Sequence, residues 1–114
     1  MSDEFIPFRK LTEAERSLIM ALIRKSNNVY LPRNWETSLL VKSMNDGGMG
    51  SMQLFFSETS TERTFGAEAS SIEFEDADGI KVIASLYLDK LQTPMEIDVW
   101  KTNFSPIIRM PKEH

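Results

Sequence analysis

Glu96 and Asp98 lie two residues apart in a segment that alternates apolar and polar residues. In an extended strand that spacing puts both carboxylates on one face. Paired carboxylates perform acid–base or glycosidic chemistry when a cleft drives their pKa values apart. Without a cleft they form an exposed acidic stripe, which is the stronger reading. A second acidic group, Asp76-Ala77-Asp78-Gly79, follows Glu73 and Glu75. It has the alternating acids of a calcium loop but neither the distal glutamate nor the flanking helices. A charged hairpin tip explains it better. Asp46-Gly47-Gly48-Met49-Gly50 is rich enough in glycine to cradle an anion on backbone N–H groups. It lacks the Lys-Ser/Thr ending of a phosphate loop, and no helix follows it, so a tight turn is the better reading. The chain has no cysteine, which removes thiolate nucleophiles and thiolate metal sites. Its one histidine is His114, the last residue, where no Ser-His-Asp set is expected. The sequence therefore assigns no catalytic residue, no metal ligand and no cofactor.

The acidic stripe is more distinctive as a surface. Glu96 and Asp98 alternate with the apolar set together with Trp100, and Tyr87 and Asp89 are expected across from them. Aromatic anchors among steering charges suit a protein interface. The competing reading covers this face and makes Trp100 a core residue. Charge is distributed unevenly along the chain. Residues 1–57 carry seven Lys/Arg against six Asp/Glu, and residues 58–114 carry six against eleven, for a net charge of −4. An acidic half disfavours nucleic acid, since phosphate repels it, and complements a basic partner. No signal-peptide core and no apolar run of membrane-spanning length is found, so a soluble cytoplasmic protein is expected.

The elements that must position these residues follow from periodicity. The 114 residues suit one domain, with 41% hydrophobic residues for its core. Phe5, Ile6 and Phe8 around Pro7 read as an extended lead-in that packs on the domain. Thr12-Glu13-Ala14-Glu15 is a capping box, and Leu11, Leu18, Ile19, Leu22 and Ile23 form a helical stripe ending at Arg24 and Lys25. Residues 26–36 read as a connector interrupted by Pro32, with Trp35 folded back onto the core. Two strands, Ser38 to Met44 and Met52 to Phe56, flank the first turn. There Asp46, Gly47, Gly48 and Gly50 are the structural residues, because glycine accepts positive φ. Residues 57–64 read as an exposed polar loop. A third strand from Phe65 to Glu75 changes phase, which predicts a bulge near Ser70-Ser71. Asp78 and Gly79 turn the chain into a fourth strand, Ile80 to Asp89. A fifth, Met95 to Lys101, is expected to point Met95, Ile97 and Val99 inward. Asn103 to Met110 is expected to be coil pinned by Phe104, Ile107 and Ile108. The sum is an α+β domain over residues 1–114: one N-terminal helix packed on about five antiparallel strands in meander order.

Several segments recur together in one known pattern. These are Arg9-Lys10-Leu11-Thr12-x-x-Glu15, Asp46-Gly47-Gly48-Met49-Gly50-Ser51, Asp76-x-Asp78-Gly79, and Glu96-Ile97-Asp98-Val99-Trp100-Lys101 ahead of Phe104-Ser105-Pro106. In this order they resemble a family of small bacterial single-domain proteins of unknown function. The resemblance covers most of the chain and carries no catalytic residues with it. Small acidic bacterial domains of this kind look like immunity proteins for secreted toxins, by analogy alone.

The leading expectation is a non-enzymatic protein-binding domain, an immunity-type or regulatory inhibitor docking its acidic sheet on a basic partner such as a toxin. One alternative is a small-ligand or enzymatic domain with a pocket between helix and sheet lined by Trp35, Tyr87 and Trp100. Another is an oligomer-forming module that pairs through a strand edge or apolar patch. The sequence leaves the oligomeric state open.

Overall fold

A computed structural model describes residues 6–27, 29–56 and 63–111. Phe5, residues 57–62 of the predicted polar loop, and His114 lie outside them. Helix α1 (Glu13–Lys25) begins with the expected capping box. The Glu15 N–H donates to Thr12 Oγ1 at 3.1 Å, and the Thr12 N–H donates to Glu15 Oε1 at 3.0 Å. These contacts satisfy backbone groups that the first helical turn leaves without partners. Glu13 and Glu15 in the first turn and Arg24 and Lys25 in the last match the helix dipole. The connector contains one further turn, α2 (Trp35–Ser38), which starts after Pro32 and so avoids its missing N–H.

Five strands follow: β1 (Leu40–Ser43), β2 (Met52–Phe55), β3 (Phe65–Glu75), β4 (Lys81–Asp89) and β5 (Pro94–Lys101). All pair antiparallel in one sheet, so the α+β class stands as expected. The order is β1-β2-β5-β4-β3 and not a continuous meander. The chain leaves β2, crosses to the far edge as β3, and returns through β4 and β5 to pair with β2. Polarity accounts for the swap. β3 is largely exposed along its length, whereas β5 buries Ile97 and Val99 and belongs in the sheet centre. Opposite β3, the outer edge of β1 is extended by the lead-in. Arg9 N–H donates to the Val41 carbonyl at 2.9 Å, and Val41 N–H returns the bond at 2.8 Å. A bidentate Arg9–Glu15 ion pair then ties this edge to the start of α1.

The core occupies one face of the sheet. Leu18, Ile19 and Leu22 of α1 pack with Val82, Ala84, Leu86 and Leu88 of β4, Val41 of β1, Met52 and Leu54 of β2, and Ile97 and Val99 of β5. Half-buried Val29, Trp35, Ile107 and Met110, from the connector and the tail, complete the cluster. Each fully buried side chain of this size contributes about 1.5–3 kcal/mol by leaving water.

Three irregularities adjust the register. In β3 the pairing shifts between Phe65 and Ala67 and again between Glu68 and Ser70, slightly before the bulge expected at Ser70-Ser71. In β5 the pairing slips so that Leu88 faces Pro94 while Tyr87 faces Glu96. The extra residue is Met95. Pro94 takes the buried position, and Met95 joins Tyr87, Glu96 and Asp98 on the other side, which corrects the expectation that Met95 points inward. The tail differs too. Ile107 packs on the core as expected, but Phe104 and Ile108 are exposed and pin nothing. The turn glycines behave as read: Gly47, Gly48, Gly50 and Gly79 all have positive φ.

Gly66 was not singled out by sequence, yet a Cβ there would collide with the Asp89 carbonyl and lie 3.1 Å from the Leu88 carbonyl oxygen. Backbone cannot yield as a flexible side chain can. Gly66→Ala is expected to lower the unfolding free energy by about 1–3 kcal/mol in a urea melt. A neutral result would contradict this close approach of β3 to β4.

Candidate functional site

Strand alternation leaves Lys101 on the core-facing side of β5, in line with Ile97 and Val99. Its side chain is 1% exposed and stands among the largest fully buried ones. A buried ammonium needs counter-charges and acceptors. Asp76 Oδ2 supplies one at 2.7 Å and Asp78 Oδ2 another at 2.8 Å. The calcium-like spacing of Asp76 and Asp78 thus serves a cation, and the cation is the chain's own lysine. Asp76 does more than pair. Its carboxylate also accepts the N–H groups of Ala77 (2.7 Å), Ile108 (2.7 Å) and Arg109 (3.0 Å). Burial pushes the Asp76 carboxyl up, but Lys101 and those backbone donors outweigh burial and hold it well below the usual carboxylate range. The β3–β4 turn, the end of β5 and the C-terminal tail therefore meet at one carboxylate. The signal for Lys101 was present in the sequence as a lysine at a core-facing register. Its partners were not legible, because they lie 23 and 25 residues away.

The Asp46 turn is likewise internal. Asp46 accepts the N–H groups of Met49 (3.1 Å) and Ser51 (2.8 Å). Burial raises its carboxyl and these donors more than offset that, leaving it below the usual range. The Gly48 carbonyl accepts the Ile107 N–H at 3.0 Å, so the loop holds the tail where an anion would need its glycines. Asp89, expected on the interface, is buried. It accepts the N–H groups of Leu91 (2.8 Å) and Thr93 (3.0 Å) and shapes the β4–β5 turn. It is therefore no surface residue, because a short acid at a strand end is drawn to nearby backbone donors.

The face opposite the core carries the remaining candidates. Across it, Gln53, Glu96, Tyr87 and Glu68 form one row, and Asp98 pairs with Ser85 and Trp100 with Ile83 in the next two. Trp35 packs with the core on the other side of the sheet, so Trp35, Tyr87 and Trp100 line no common pocket. Glu96, Asp98, Tyr87, Phe65 and Met95 enclose a shallow concavity of about 340 Å³. The rings of Phe65 and Tyr87 stand 5.7 Å apart between centroids. Burial and then Asp98 push the Glu96 carboxyl up, with Arg63 only partly opposing them. Burial, Asp98 and Glu68 raise the Tyr87 hydroxyl in the same way. No ion pair among the described residues engages Glu96 or Asp98. Towards the far end of the face, Trp100 is 39% exposed and lies 5.8 Å from the ring of Phe104, which is 70% exposed. Phe104 has φ 64°, a left-handed backbone that costs a non-glycine residue about 1 kcal/mol or more. Sequence reasoning missed Phe65, Met95 and Phe104 here, because a bulge and a strained turn bring them to this face.

Among the described residues, no group of three or more His, Cys, Asp or Glu is placed to hold a metal ion, and no helix is long and apolar enough to cross a membrane. Residues 8–111 match the model of a domain of unknown function, DUF6984, and the chain belongs to that family. No curated protein and no solved structure matches it.

Removing the Asp76 charge leaves Lys101 with the part-exposed Asp78 as its one carboxylate and loosens the tail. Asp76→Asn is expected to cost about 3–5 kcal/mol of unfolding free energy at neutral pH. The folded-state pKa of Asp76 is depressed, so its contribution is complete above the unfolded carboxylate value of about 4 and is lost as pH falls below it. Thermal melts between neutral pH and strong acid should show the wild type losing stability on acidification more steeply than Asp76→Asn. Parallel curves would contradict the assignment.

Proposed function

We propose that the chain is a non-enzymatic binding domain that docks the face of β4 and β5 carrying Tyr87, Glu96, Asp98 and Trp100 on a basic protein surface. The observation that carries this reading is the charge accounting. Asp76 and Asp78 are matched by Lys101 and Asp46 by backbone donors, whereas Glu96 and Asp98 repel each other with no ion-pair partner among the described residues. Exposed aromatic rings beside them supply apolar anchors, and the carboxylates supply steering. A second copy of the chain fits poorly, since a two-fold contact through this face would bring four acids together. Within this reading an immunity-type or regulatory inhibitor of a bacterial toxin is the favoured role, in which the acidic face steers and docks on a basic partner surface. A soluble cytoplasmic setting is part of the same proposal.

Immobilised protein exposed to extract of its host tests this. Wild type and a control with Glu13→Lys and Glu36→Lys, away from the face, should retain the same basic protein. The Glu96→Lys/Asp98→Lys variant should retain it about tenfold less, a loss of about 1.4 kcal/mol. Equal retention by all three, or retention only of acidic proteins, would overturn the reading.

A further inference from the structure

The concavity bounded by Phe65, Tyr87, Met95, Glu96 and Asp98 has a more specific chemistry than the face around it. Its volume of about 340 Å³ has room for one long side chain of a partner. Two aromatic rings and a thioether form its apolar walls, and two carboxylates supply its charge. The same face already seats the chain's own cations on aromatic rings. Lys42 Nζ stands 4.3 Å from the centroid of Phe8, and the Arg63 guanidinium stands 4.5 Å from that of Phe55. Arg63 also donates to the carbonyls of Leu54 and Met95, so it is fixed at the rim and not free to enter. From the shape, the rings and the charge, we infer that this concavity receives one basic side chain, an arginine or lysine, of a bound protein.

The inference rests on the docking face proposed above and names what enters it. A planar guanidinium stacks on an aromatic ring while pairing with a carboxylate, and it is more weakly hydrated than an ammonium, which favours arginine. Entry of the cation relieves the repulsion between Glu96 and Asp98 that raises the Glu96 carboxyl. Tyr87 lies between Glu96 and Glu68 in the register, so its ring is placed beside the charge. Trp100 and Phe104 lie outside the concavity and contribute apolar contact to the partner's surface only.

A small probe separates this inference from the partner reading. N-acetyl-arginine amide is titrated into the intact protein, with N-acetyl-citrulline amide as the uncharged isostere. NMR follows the ring signals of Phe65 and Tyr87 and the methyl signal of Met95. The arginine derivative should shift all three saturably, and the citrulline derivative should not. Glu96→Gln/Asp98→Asn should abolish the response, whereas Trp100→Ala should keep it. No saturable shift, an equal shift from citrulline, or an unchanged response in the double variant would overturn the inference. Arginine binding by a protein that captures no partner would keep the pocket and remove the docking reading. Charge-dependent partner capture without an arginine response would keep the docking reading and remove the pocket.

Discussion

Lys101 occupies a position where strand alternation demands an apolar side chain, and the fold answers with two aspartates. A lone ammonium there would be prohibitively costly to desolvate. Asp76 and Asp78 neutralise it, and Asp76 still has capacity to accept three backbone N–H groups. That one carboxylate joins three pieces of chain that are distant in sequence. By holding Ile108 and Arg109 it sets the course of the tail, whose Ile107 and Met110 complete the core cluster. The Asp46 turn fixes the same segment from the other side, through Gly48 and Ile107. The tail is thereby committed to the core face of the sheet, where helix and connector also pack.

The consequence for function is the state of the other face. Asp46, Asp76 and Asp89 each have matched donors, whereas Glu96 and Asp98 stand beside each other and beside Tyr87 with no ion-pair partner among the described residues and only partial opposition from Arg63. Asp98 accepts one hydrogen bond, from Ser51 Oγ at 3.3 Å, and under the docking proposal the remaining charge is kept ready for a cation. Natural proteins commonly sacrifice stability at sites that must bind. The strained backbone of Phe104, which holds an exposed ring beside Trp100, belongs to the same pattern.

Local signals were legible in the sequence. The capping box at Thr12 and Glu15, the turn glycines, the phase change in β3 and the alternation of β4 all follow from neighbours within a few residues. What the sequence hid depends on pairs far apart. β2 lies beside β5 because the polar strand β3 belongs at an edge, a preference that emerges only when all five strands compete. A single slipped pairing turned Met95 outward, and the carboxylate of Asp89 was taken by its own turn. Asp76 and Asp78 read as a charged hairpin tip, and their buried role stayed hidden because the lysine between them is remote in the chain. On the candidate face, Tyr87, Glu96, Asp98 and Trp100 share a side as alternation implied, and Phe65, Met95 and Phe104 join them by geometry that no local pattern encodes.

Glu96, raised by burial and by Asp98, holds its charge at a cost to the native state. The most direct measurement is the unfolding free energy of Glu96→Gln/Asp98→Asn at neutral pH. The folded-state pKa of Glu96 is raised, so its ionised form weakens the native state there, and removing both charges should leave the protein as stable as wild type or more so. A clear loss of stability in the double variant would show that these carboxylates serve the fold, and the account of the face as a binding surface would fail with it.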